Sequence, residues 1–348
     1  MRSHKKFNWK LWLNLFTLGA LVFLIVFAWP DIVDALHKSQ GLNIWPLLAM
    51  IPINIAFYFG LSEFFYHFFL VLRCRVQRRI LLPAVAELNF VNHVFPSGGL
   101  SGFSYFTWRL KPYDVSTARS TLAQIGRFAF GFIVHIILMF ISLFLLAADG
   151  KANALVIIII TVVVVSLMGL TGLIIFVIGQ RDRIINFTKT LANFINHILH
   201  KFGKRPEVVR IKKVEQTFLE LHEDYVMIKN NILEMRAAAF WMALAIFFEM
   251  ALLYAVFVAH GQWVNPGVVV VALVISSVAG LIAALPGGLG VFEPLMTALF
   301  VSMGISPGLA LSVTLIFRII TLALTLIMGY PTYQLAINRY GKTDLQRK

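Results

Sequence analysis

Several polar side chains stand inside long apolar stretches of this chain: Glu63, His67, Gln124, Arg127, His135, Glu249, Glu293 and Arg318. A charge at the centre of a membrane helix costs roughly 2.5–3.5 kcal/mol on insertion scales, so each such residue needs a partner or a task. The arginines offer the most directional chemistry, because a planar guanidinium grips a phosphate through two parallel hydrogen bonds where an ammonium acts as a point charge. Arg127 and Arg318 are therefore the candidate phosphate-binding residues. Glu63, His67, Gln124, Glu249 and Glu293 are their candidate polar partners. Glu63 and His67 are four residues apart on one helix face, placed either to share a proton or to form a structural polar pair. Gln124 precedes Arg127 by three residues on a common face. Arg127 has a second reading as a static ion pair with Glu63, Glu249 or Glu293, and Arg318 has one as the structural partner of Glu293. His135, deeper among aliphatic and aromatic side chains, reads as a packed core histidine.

The elements that must hold these groups follow from composition. The chain has 348 residues, 59% of them hydrophobic and 13% charged, with a mean hydropathy of +0.82. Soluble domains sit nearer 45–50% apolar and about 25% charged, so this is an all-α polytopic membrane protein. A net charge of +14 raises the question of a nucleic-acid partner, but such apolarity excludes a disordered basic tail. The single cysteine, Cys74, excludes a disulfide framework. A bilayer core needs roughly 20 apolar residues per helix. Six stretches qualify as full spans: Leu11–Trp29, Ile44–Leu72, Thr121–Ala148, Ala154–Gly179, Ala237–Ala259 and Gly308–Tyr330. The first lacks a small-residue cleavage site before Pro30 and reads as a retained span rather than a signal peptide.

Two further apolar stretches, Ile80–Trp108 and Gly267–Met303, are broken by proline and glycine. All but four of the 30 Lys and Arg residues fall on one side of this layout, the exceptions being Lys38, Lys151, Arg127 and Arg318. That asymmetry places both termini in the cytoplasm of a multi-pass cell-membrane protein. Arg73–Arg79 and Arg109–Arg119 flank the first broken stretch on the cytoplasmic side, so it leaves and returns there. The second enters and leaves from the outer side. Six spans plus two re-entrant hairpins satisfy the charges, as do more spans if the hairpins cross fully.

The hairpin tips read alike. Phe95-Pro96-Ser97-Gly98-Gly99-Leu100-Ser101-Gly102-Phe103 compares with Leu285-Pro286-Gly287-Gly288-Leu289-Gly290-Val291-Phe292. Approach from opposite sides is the relation of inverted transporter repeats, whose broken helices meet near the midplane. Non-helical backbone survives at that depth only where protein or a wet cavity satisfies it. Asn92, Pro96, Gly98, Gly99, Pro286, Gly287, Gly288 and Gly290 are the tip residues of interest.

Residues 180–236 form a cytoplasmic amphipathic helical insertion within a single domain spanning 1–348. Ile184, Phe187, Leu191, Phe194, Ile198 and Phe202 make a basic amphipathic helix suited to anionic headgroups. Ile211, Val214, Phe218, Leu221, Tyr225, Ile228, Ile232 and Met235 make a heptad-type seam, which either packs on the preceding helix or the transmembrane body or forms a coiled coil in a homodimer. Acidic residues interleaved with its lysines argue against a nucleic-acid partner. No HExxH, CxxC, GxSxG, Walker A or DxD-like pattern occurs, so no catalytic residue, metal site or cofactor is expected.

Phe248-Glu249-Met250, the run Leu285 to Glu293, and Phe317-Arg318-Ile319-Ile320-Thr321 resemble the transmembrane region of the lysylphosphatidylglycerol synthase, or flippase-like, family. Asn92 through Gly99 and Arg127 extend the resemblance over nearly the whole chain. It implies movement of lipids, including aminoacylated phosphatidylglycerol, between leaflets; in bifunctional members this blunts cationic antimicrobial peptides. The sequence runs only a short way past the last span, so the soluble aminoacyltransferase domain of the bifunctional synthases is not expected, nor lysyltransferase activity from this chain alone. Many relatives carry a charged residue and an arginine just after the first tip, whereas here Phe103 to Trp108 precede Arg109. Three readings follow. The first is a translocator of anionic or aminoacylated phospholipid. The second is a membrane component of aminoacyl-lipid or glycolipid synthesis with a separate catalytic polypeptide. The third is a membrane scaffold.

Overall fold

The computed structural model describes residues 41–95, 100–150, 153–183, 185, 190, 211–283 and 285–340. The described residues are helical, without strands. The helices are α1 (Ile44–Val71), α2 (Arg78–Val94), α3 (Leu100–Leu110), α4 (Thr117–Ala148), α5 (Ala154–Ile178), α6 (Ile211–Asn230), α7 (Arg236–Ala259), α8 (Pro266–Ala283), α9 (Phe292–Ser302) and α10 (Pro307–Tyr340). Short 3₁₀ turns sit at Lys111–Tyr113, Ile232–Met235 and Pro286–Gly288. The expected spans at 44–72, 121–148, 154–179, 237–259 and 308–330 correspond to α1, α4, α5, α7 and α10. The expected span Leu11–Trp29 lies outside the described residues, as does nearly all of the amphipathic helix proposed at 184–202.

Among the described residues, six helices are long and apolar enough to cross a membrane; beyond the five named above, the sixth is α8, the first arm of the second broken stretch. At 1.5 Å per residue its 18 residues reach about 27 Å, whereas the 11 of α9 reach only about 16 Å. The first broken stretch has the same unequal build, with 17 residues in α2 and 11 in α3. Each is a hairpin of one long and one short arm.

Hydrogen bonds between helix ends fix which way each hairpin points. Asn265, at the start of α8, donates from Nδ2 to the Leu145 carbonyl (2.9 Å) and to Asp149 Oδ2 (2.6 Å) at the end of α4. Asn153, the N-cap of α5, donates to the carbonyl of Ser302 at the end of α9 (2.8 Å). Both ends of the second hairpin therefore lie at the C-terminal end of α4. The first hairpin is tied to the other end of α4: Thr107 and Ser120 share a hydroxyl hydrogen bond (2.8 Å), and Tyr113 meets Tyr340 of α10 (2.6 Å). The two hairpins enter from opposite faces. The first hairpin's face carries Arg73, Arg75, Arg78 and Arg79, and helix α6 docks there.

The helices consequently form two inverted units, α1–α2–α3–α4 and α7–α8–α9–α10, each a long helix, a hairpin and a long helix. Their first helices pack closely along their length, made possible by Gly60, where a Cβ would come within 3.1 Å of the Ala245 Cβ. Small residues at such crossings let backbones approach where lipid supplies no hydrophobic drive. Helix α5 stands apart and turns exposed Ile158, Val162, Val165 and Met168 outward, as a lipid-facing helix does.

Two expectations need correction. The heptad seam over 211–235 is not one helix: α6 ends at Asn230, and Asn231 leaves helical geometry (φ −117°, ψ 34°). Asparagine favours turns over helix interiors, and the chain must bend there to start α7. Ile232 is exposed in consequence. Within the single chain, α6 lies on the transmembrane body, with Arg119 reaching Asp224 (3.3 Å) and His222 Nδ1 donating to the Ile178 carbonyl (2.7 Å). Second, Arg109 is not a surface topology charge. It is buried between the arms of the first hairpin, donating to Glu87 Oε2 at 2.7 Å, while Tyr105 donates to the same oxygen at 2.8 Å. A charge flanking a span in sequence satisfies the sidedness rule equally well from inside a protein-lined hairpin base, where a carboxylate neutralises it.

Candidate functional site

The end of α2 meets the tip of the second hairpin. A Cβ at Gly287 would lie 3.5 Å from His93 Cδ2 and 3.7 Å from the His93 carbonyl, which brings the end of α2 against the second tip. Gly287, Gly288 and Gly290 all adopt positive φ (57°, 72° and 81°), the left-handed region that side chains resist, so the reversal between α8 and α9 depends on them. Gly288 also passes Gly280 so closely that a Cβ would sit 3.0 Å from its Cα.

Arg318 organises this tip. Its Nε donates to Glu293 Oε1 (2.8 Å) and its Nη2 to the Gly287 carbonyl (2.6 Å), and its guanidinium lies 4.4 Å from the Phe292 ring centroid. Glu293, in the first turn of α9, accepts the Gly290 N–H at 2.8 Å as well. One carboxylate thus binds both the arginine and a loop amide that would otherwise lack a partner at membrane depth.

Beside this second tip is a cavity of about 350 Å³. Arg127, Phe128 and His135 of α4 line it, facing Glu249 of α7; His93 and Asn92 of α2, the Gly287–Gly288 turn and Arg318 close one end. Most of the remaining wall is apolar, from Phe57, Phe132, Ile246, Leu252, Leu273 and Phe317. Among the described residues, no carboxylate comes within ion-pair distance of Arg127, and Glu249 has no hydrogen-bond partner. The guanidinium rests 4.9 Å from the Phe128 ring centroid. A half-buried guanidinium facing a carboxylate across an amphipathic cavity has donors available for an anion.

The structure distributes the sequence-expected residues unevenly. Arg127, Arg318, Glu249, Asn92, Gly287 and Gly288 converge on the cavity, and Glu293 supports it from behind. Glu63 and His67 do face each other (3.6 Å), but Glu63 is held by Arg78 through two bonds of 2.6 and 3.0 Å, away from the cavity at the base of the first hairpin. Gln124 is buried with both side-chain polar atoms unpaired and does not line the cavity. Pro96, Gly98 and Gly99 lie outside the described residues. His135, read as a core histidine, lines the cavity instead.

Neutral polar residues were missed. Asn89 donates to the Tyr58 hydroxyl (2.8 Å), which donates to Thr325 (3.4 Å), a chain linking α2, α1 and α10 beside the cavity. Asn54, buried with its Oδ1 unpaired, lines the wall. Within apolar helices a lone asparagine at α1 position 54 was the available signal. Among the described residues no group of three His, Cys, Asp or Glu side chains is placed to hold a metal ion.

The model of the lysylphosphatidylglycerol synthase TM region matches residues 14–329. The chain belongs to that family. The match takes in both hairpins, both arginines and Glu249. A UPF0104 membrane protein of Methanothermobacter thermautotrophicus is 23% identical over 321 residues, covering 89% of this chain and 90% of the relative. A shorter match to a UPF0104 membrane protein of the same organism is 30% identical over 132 residues, 35% of this chain and 40% of the relative. A UPF0104 membrane protein of Methanocaldococcus jannaschii is 23% identical over 246 residues, 69% of this chain and 70% of the relative. In this synthase-TM-region chain, then, the shared segment is the inverted pair of helix–hairpin–helix units that encloses the cavity.

Proposed function

We infer that the chain moves an anionic or aminoacylated phospholipid between the leaflets of the cell membrane, with the basic face cytoplasmic. The observation that carries this is Arg127, a guanidinium without an ion-pair partner among the described residues, lining an amphipathic cavity where two inverted hairpins meet. A phosphodiester fits it chemically: two anionic oxygens match the guanidinium fork, while the acyl chains keep to the apolar wall and surrounding lipid. Arg318 shapes the tip that closes the site and presents its remaining donors. By the same reasoning, loss of the protein should increase sensitivity to cationic antimicrobial peptides, because fewer modified headgroups would reach the outer leaflet.

Reconstitution tests the reading directly. Liposomes containing the protein and a fluorescent phosphatidylglycerol should lose more than half of their fluorescence to an impermeant quencher, and Arg127→Ala should slow that loss by about tenfold, the loss of roughly 1.4 kcal/mol of headgroup binding. Equal rates in liposomes with wild type, variant and no protein would sink it.

The family description favours one second reading, a membrane component of lysyl-phosphatidylglycerol synthesis acting with a separate catalytic polypeptide. It requires that deletion abolish the modified lipid itself rather than redistribute it between leaflets.

A further inference from the structure

The charges around the cavity balance without a substrate. Arg318 is neutralised by Glu293 at 2.8 Å, and Arg127 is the charge opposite Glu249. A bound phosphodiester adds one negative charge to a site walled by apolar side chains. Glu249 and the phosphate would then be two anions competing for one guanidinium, and a net charge in low dielectric is expensive. The least costly way to restore neutrality is for Glu249 to take up one proton when the anionic headgroup arrives. A zwitterionic headgroup brings its own ammonium and needs no proton.

We propose that Glu249 is a proton carrier: the protein moves monoanionic phosphate-ester lipids together with one proton, bound on the carboxylate that faces Arg127 across the cavity. The proposal rests on the lipid-movement reading and adds its coupling. Geometry separates the two acidic residues of the site. Glu293 is saturated by Arg318 and the Gly290 N–H, so its charge is spent on the tip. Glu249 has no such partner among the described residues.

Other groups face Glu249 from each element packed around it. From α1 come Asn54 and Tyr58, from α2 His93, from α4 Arg127 and His135, and from α10 Arg318, Thr321 and Thr325. The lining of α8 adds Ser277 and nothing that titrates. His93 Nδ1 donates to the Asn89 carbonyl (2.8 Å) and its ring lies against the second tip, and His93 and His135 are the competing proton acceptors.

Two measurements decide the matter. A short-chain phosphatidylglycerol is titrated into the full-length protein in detergent, in buffers of different ionisation enthalpy, which counts the protons taken up on binding. Uptake approaching one proton per lipid is expected near neutral pH, near zero for short-chain phosphatidylcholine, and near zero for phosphatidylglycerol with Glu249→Gln. In proteoliposomes carrying a pH dye inside, wild-type phosphatidylglycerol movement should carry protons with it and slow as the pH is raised above neutrality. Phosphatidylglycerol that binds and moves without proton uptake overturns the carrier while leaving lipid movement intact. Uptake that persists in Glu249→Gln overturns the assignment to Glu249 and points to His93 or His135. Absence of any lipid movement by the wild type at any pH overturns the underlying reading and the carrier with it. The wild-type arms stand even if the variant fails to fold.

Discussion

The two inverted units share a plan and differ in the charge at the hairpin tip. Gly98-Gly99-Leu100-Ser101-Gly102-Phe103-Ser104 aligns with Gly287-Gly288-Leu289-Gly290-Val291-Phe292-Glu293, and in each unit an arginine follows in the long helix after the short arm. Arg127 is the eleventh residue of α4 and Arg318 the twelfth of α10. In each, the tip phenylalanine stacks on the phenylalanine beside the arginine: Phe103 on Phe128 (6.0 Å) and Phe292 on Phe317 (6.5 Å). Where the second unit has Glu293, however, the first has Ser104, which is exposed. Arg318 is therefore clamped to its own tip, and Arg127 is left facing the cavity. On the proposed reading, one repeat serves as scaffold and the other keeps its cation for a ligand.

This comparison can be broken at several points. The largest effect expected is all-or-none. In a Cys74→Ser background, Gln262→Cys at the second hairpin's face should react with an impermeant maleimide added to intact cells, and Arg75→Cys at the first should react only after permeabilisation. Labelling of both from outside would dissolve the inverted relation. Next in size is Arg318→Ala, which leaves Glu293 with a carboxylate and no counter-charge. Breaking a buried pair from one side typically costs about 3–5 kcal/mol, so thermal unfolding in detergent should drop markedly, and hydrogen exchange at 285–291 should rise.

Arg127→Ala should do the reverse, slowing lipid movement about tenfold while costing much less stability than Arg318→Ala, because it breaks no direct ion pair and Glu249 can restore neutrality by taking up a proton. A stability loss matching that of Arg318→Ala would show that Arg127 is structural too. The smallest effect concerns Cys74, in the connection between α1 and α2 at the first hairpin's face. Burial pushes its thiol up, the nearby Arg119 guanidinium pulling the other way at 3.4 Å. Below its raised pKa the thiol stays protonated, so maleimide at pH 8 should react several-fold slower than with an exposed cysteine. Asp224→Ala, which loosens α6 from Arg119, should recover part of that rate.

Much of the architecture was readable because its causes are local. A run of apolar residues either spans about 30 Å or does not, and a Pro-Gly-Gly run in the middle of an apolar stretch breaks its helix. Helix boundaries were less legible. Helix α10 continues ten residues past Tyr330, through Pro331, since Tyr333 and Ile337 are buried against Phe90 of α2 and make continuation worthwhile. The site was legible in its charged members and in Asn92, Gly287 and Gly288 at the broken hairpins. Arg127, Arg318 and Glu249 announce themselves by desolvation cost, whereas Asn54, Asn89 and Thr325 carry too small a penalty to stand out from any polar residue in a helix.

Sequence alone determined that this is a membrane protein with two oppositely directed broken hairpins and with arginines inside its helices, because length, hydropathy and charge placement act segment by segment. Which carboxylate neutralises which arginine was a question of tertiary structure. Glu63 went to Arg78, Glu87 to Arg109 and Glu293 to Arg318, pairings set by which helix faces meet in three dimensions. Spacing in the chain could name the candidates, but an ion pair needs its atoms within a few ångströms, and only packing brings them there. The residue left over from that pairing, Arg127, is the one on which the proposed function turns.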